Sequence, residues 1–79
     1  MCASIHENDI REAMDNAVRR TVDAVSDHWD DIEVCWLAEA ELRGAMKAVN
    51  DLAKDSAWRV AEVRFDRKAQ RVGYTLEGR

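Results

Sequence analysis

A chain of 79 residues with 47% hydrophobic and 35% charged side chains, three Gly and no Pro has room for one domain spanning 1–79. That composition is of a folded chain and excludes linker, collagenous and low-complexity classes. The net charge of −4 opposes nonspecific binding to nucleic acid, and no apolar run approaches the ~20 residues of a membrane span or the pattern of a secretory leader, so a cytoplasmic chain with reduced thiols at Cys2 and Cys35 is expected.

The first segment offers a capping box, Ser4-x-x-Glu7, or a cap at Asn8 or Asp9, and then Ile10, Met14, Ala17, Val18, Val22 and Val25 at helical spacing. This predicts an amphipathic helix over 8–27, with Asp15 and Arg19 as an exposed i,i+4 pair. From Asp30 the period is ambiguous. Ile32, Val34 and Trp36 alternate as in a strand, while Val25, Trp29, Ile32, Trp36 and Ala40 fit a helix. The β-branched and aromatic content favours a strand over 31–37, and the lack of Gly or Pro before residue 43 leaves continuous helix as the alternative.

Leu42, Ala45, Met46, Val49, Leu52 and Ala53 step at three and four, with Glu39–Arg43 and Lys47–Asp51 as surface pairs, and predict a second helix over 39–54. Gly44 inside it costs roughly 1 kcal/mol against Ala, a sign of close packing. The last segment reads as a β-hairpin: Trp58, Val60, Val63 and Phe65, a polar turn over 66–70, then Val72, Tyr74 and Leu76. The shift from even to odd positions marks a bulge in its first strand. The expectation is an α+β domain of order α-β-α-β-β, a three-stranded sheet with two helices on one face. Ile10, Met14, Val18, Val22, Leu42, Met46, Val49, Val72 and Leu76 are its expected core.

Charge is unevenly spread. Residues 1–57 hold 13 acids against 6 bases, net −7, and residues 58–79 hold 3 against 6, net +3, which together return −4. The chain is an electrical dipole if these parts face apart. Between Arg20 and Arg43 there is no base at all, against Asp23, Asp27, Asp30, Asp31, Glu33, Glu39 and Glu41. Such a run is either a solubilising surface or a docking surface for a basic groove that normally holds nucleic acid. As a docking surface it uses Asp23, Asp27, Asp30, Asp31 and Glu33, with Trp29 as the adjacent apolar contact.

Other chemistries find little footing. The acids lack the Gly-centred loop of a calcium site, and His28 with Cys35 supplies no tetrahedral set, so neither metal nor cofactor is expected. Cys35 lies in an apolar stretch, and no phosphate loop or nucleophile elbow is present, so the chain is not read as an enzyme. The hairpin interleaves Trp58, Phe65 and Tyr74 with Arg59, Arg64, Arg67, Lys68 and Arg71, as single-stranded nucleic-acid binders do, but the aromatics are needed for the core. A nucleic-acid-binding regulator acting through Arg64, Arg67 and Arg71 is thus the second reading. A third is an accessory subunit pairing with itself or another chain through Trp29 or Trp36.

In general character, an acidic single domain with carboxylates concentrated at Asp23, Asp27, Asp30, Asp31, Glu33, Glu39 and Glu41, the chain resembles the small inhibitors made by phages and mobile elements, anti-CRISPR proteins among them. The resemblance implies blockade, steric or by nucleic-acid mimicry, of a basic channel in a ribonucleoprotein effector in the host cytoplasm. With a negative net charge and the aromatics claimed by the core, no direct contact with nucleic acid is expected, and none with membrane.

Overall fold

The computed structural model describes residues 5–79, and Cys2 and the Ser4 of the expected capping box lie outside them. The element order is α1 (Glu7–Val25), α2 (Ile32–Leu52), β1 (Trp58–Asp66) and β2 (Arg71–Gly78). The expected α-β-α-β-β order and three-stranded sheet are therefore corrected to an α+β fold of two helices and one two-stranded antiparallel sheet. The segment 31–37, read as a strand, opens α2.

Two local forces decide for helix there. Asp31 caps α2, its side chain accepting from the backbone N–H groups of Glu33 at 3.1 Å and Val34 at 3.2 Å, which satisfies donors that a helix start otherwise leaves unpaired. Helical spacing also turns Cys35, Ala38 and Leu42 inward together. A strand at 31–37 would instead have needed a partner strand for every second backbone group.

α1 starts at an N-cap His6, whose N–H donates to the Asp9 carboxylate at 3.1 Å. Asp9 therefore answers the cap from the third helical position, and neither Asn8 nor Asp9 is itself the cap. The helix buries Ile10, Met14, Ala17, Thr21 and Val25. Thr21 satisfies its hydroxyl on the Ala17 carbonyl at 2.9 Å, so a polar residue holds an inward position at small cost. With Thr21 and Val25 inward, Val22 turns to the flank and is exposed, contrary to its expected burial. Ile10, Met14 and Leu42 are buried as expected, and Val18, Met46, Val49, Val72 and Leu76 are half-buried against them.

The hairpin lays one face on the helices. Val60 and Val63 are buried, while Arg59, Glu62, Arg64 and Asp66 point to solvent. The expected bulge is present: Val60 pairs with Leu76 and Glu62 with Thr75, leaving Ala61 without an opposite residue. Two polar contacts lock the layers. The Asn50 side chain reaches from α2 to both backbone groups of Val60, donating to the carbonyl at 3.0 Å and accepting from the N–H at 2.8 Å. Tyr74 donates its phenol to Asp15 at 2.7 Å and lies 3.3 Å from the Arg11 carbonyl, joining β2 to α1. Burial, then the bond to the Asp15 carboxylate, pushes the Tyr74 phenol above its ordinary value.

Surface pairs follow the expectation in part. Glu39–Arg43 forms at 2.8 Å, whereas Asp15 is taken by Tyr74 and Arg19 bonds Asn16 instead. Gly44 is exposed, and a Cβ there would meet nothing within 4 Å, so no contact inside the chain explains it.

Candidate partner-binding surface

α1 stops at Val25, and residues 26–31 turn the chain back into α2. The turn is held by backbone bonds from His28 to Val25 at 2.8 Å and from Asp31 to His28 at 2.9 Å. Beneath it, the Cys35 thiol lies 3.5 Å from the His28 carbonyl and 3.6 Å from that of Trp29. A satellite core of Val25, Cys35 and Ala38, with Trp29, Val34 and Phe65 packed on it, makes the turn a supported platform.

On that platform Asp27, Asp30 and Asp31 occupy the turn, Glu33 the first turn of α2 and Asp23 the last turn of α1, so the five expected carboxylates gather at one end of the molecule. All five are exposed, and none forms an ion pair among the described residues. Asp27 lies beyond the end of α1, so Asp23 and Asp27 do not stand as like charges four residues apart on one helix. Trp29, expected as the apolar contact, is half-buried and rests on Phe65 with ring centroids 5.6 Å apart.

Of the large apolar groups that do reach solvent here, Trp36 is named by the accessory-subunit reading, while Ile32 stood only in the expected strand and Leu37 was passed over. Ile32 is 67% exposed, Trp36 72% and Leu37 59%. The helical reading of Ile32, Trp36 and Ala40 carried the signal, since it sets them one side apart from Cys35, Ala38 and Leu42.

The Trp29–Phe65 contact also fixes where the basic hairpin lies. Phe65 is the penultimate residue of β1, next to the hairpin turn, and a groove of about 150 Å³ lined by Ile32, Cys35, Trp36, Phe65 and Arg67 runs between α2 and that turn. The hairpin turn therefore lies at the same end of the molecule as the acidic turn, with Arg67 lining that groove. The hairpin aromatics Trp58, Phe65 and Tyr74 are half-buried and pack on the core.

Among the described residues no group of three or more His, Cys, Asp or Glu converges as a metal-ligand set, and no helix is long and apolar enough to cross a membrane. No family model matches the chain, and no curated protein or solved structure is found to be similar to it.

Proposed function

We propose that this chain is a protein-binding inhibitor that covers a basic, nucleic-acid-binding surface of a partner complex, in the manner of the anti-CRISPR class its general character resembles, and that it acts in the cytoplasm holding that complex. The observation that supports this reading is the acidic turn: five exposed carboxylates with no ion pair among the described residues, on a supported platform, with Ile32 exposed in their midst. Carboxylates so placed compete for the Lys and Arg that otherwise neutralise phosphates. The apolar neighbour adds contact area that outlasts the electrostatic encounter. Arg67, which lines the adjoining groove, orients the docking, because a partner surface that is basic throughout would repel it.

The test is displacement of labelled nucleic acid from purified ribonucleoprotein effectors by the chain and by a variant carrying Asp23→Asn, Asp27→Asn, Asp30→Asn, Asp31→Asn and Glu33→Gln. Asn at position 31 still caps α2, so the fold is kept. Displacement by the parent chain, weakened by about tenfold or more in the variant at low salt and with a flatter salt dependence, supports the reading. Equal displacement by both chains, or by neither, overturns it.

A further inference from the structure

The outer side of α2 carries one unbroken row at four-residue spacing: Ile32, Trp36, Ala40, Gly44, Ala48 and Leu52, all exposed, Leu52 by 76%. Such a row is a helix ridge inclined by about 26° to the axis, and two of them laid along each other make their helices cross at about 50°. Helices crossing at that angle touch at the midpoint and diverge toward the ends. The residue sizes follow this geometry. Ala40, Gly44 and Ala48 lie where two axes would be nearest, and Trp36 and Leu52 lie eight residues to either side of Gly44, where the gap widens. The glycine lowers helix propensity and serves no contact within the chain.

The flanks of the row carry opposite charge. Glu41 comes three residues before Gly44 and Lys47 three after, about 60° to either side of the row. Both are exposed and neither is ion-paired among the described residues, whereas Arg43 is held by Glu39 at 2.8 Å. A two-fold axis along the row brings the Glu41 flank of one copy against the Lys47 flank of the other, twice. The reversed arrangement sets Glu41 against Glu41 and Lys47 against Lys47.

We infer that two copies of this chain pair through the exposed row of α2, running in the same direction and crossing at Gly44, with Trp36 and Leu52 each closing on its counterpart. The row extends over about 30 Å, and Trp36 alone offers on the order of 150 Å². That is a modest interface, suited to micromolar association. The pairing goes beyond the inhibitor reading and does not depend on it, and it carries both acidic turns to the same end of the pair.

Sedimentation equilibrium of the chain alone, with no partner present, tests it. The parent chain should form dimers over the micromolar range. Gly44→Leu should weaken association by about a hundredfold or more, since a side chain at the crossing holds the helices apart, while circular dichroism and the unfolding midpoint show the fold intact because the site is open within one copy. Glu41→Lys and Lys47→Glu should each weaken the dimer, and the two together should restore it. A chain that stays monomeric, a dimer indifferent to Gly44→Leu, or a double variant no better than the single ones would overturn the proposal.

Discussion

Asn50 stands where a third strand would have bonded. Val60 lies just before the bulge, its side chain buried and its N–H and C=O aimed away from β2 toward α2, where the Asn50 amide meets both at 2.8 and 3.0 Å. Asn50→Leu keeps the branched heavy-atom shape and removes donor and acceptor together. Each hydrogen bond has a net value of about 1 kcal/mol, and a backbone group left without a partner costs about 1–3 kcal/mol where water cannot reach it. The site is half-buried, so water repairs part of the loss, and the expected destabilisation is about 2–3 kcal/mol. For a domain of this size that lowers the melting temperature by roughly 10–20 °C. Asn50→Asp retains the acceptor for the Val60 N–H and sets a carboxylate against the Val60 carbonyl, so it should fall between parent and Asn50→Leu at neutral pH. Urea unfolding with an unchanged slope measures the loss, and hydrogen exchange at the Val60 amide localises it. If Asn50→Leu unfolds within about 0.5 kcal/mol of the parent and Val60 stays equally protected, the amide does not hold the two layers together.

The two tryptophans near the acidic turn should separate sharply. Trp29→Ala removes a half-buried ring from Phe65 and should cost about 2 kcal/mol, whereas Trp36→Ser should change unfolding of the monomer by less than about 0.5 kcal/mol; comparable losses would refute the exposure of Trp36. Tyr74 is the sole tyrosine, so its phenolate absorbance can be followed alone. Its folded-state pKa is raised above the ordinary value of about 10, so the fold favours the protonated phenol. That contribution is whole below pH of about 10 and is lost as pH rises through the folded value. Stability should therefore fall along the alkaline limb, and Tyr74→Phe should flatten that limb; an unchanged slope in this variant would place the titration elsewhere.

Helix one and the hairpin were legible because in both the large apolar residues, Val22 excepted, turn toward the core at the period of their element. Even the bulge could be read, from the change of parity between Val60 and Val63. α2 was misread at its start because its first ten residues invert that habit. There the small Cys35 and Ala38 face the core while Ile32, Trp36 and Leu37 face water, and a reading that assigns the largest groups to the interior finds alternation in place of a helix. Asp31 was the overlooked signal, an N-cap residue directly before the segment. The gathering of the five carboxylates was legible from their order along the chain. The nearness of the hairpin turn and Arg67 was not, since it depends on the Trp29–Phe65 contact, which joins residues far apart in sequence.

The thiol of Cys35 turns the connection between the helices into a clock. It is buried, faces the His28 and Trp29 carbonyls and lines the groove beside Phe65, so an alkylating reagent reaches it when the turn lifts from α2 or that groove opens, and the labelling rate then counts those openings. In a Cys2→Ser background, which leaves Cys35 as the one thiol, anything seated on the turn should slow that rate in proportion to its occupancy. The chain thus carries its own occupancy gauge beneath the surface proposed to bind, and a partner can be sought by the delay it causes before its chemistry is known.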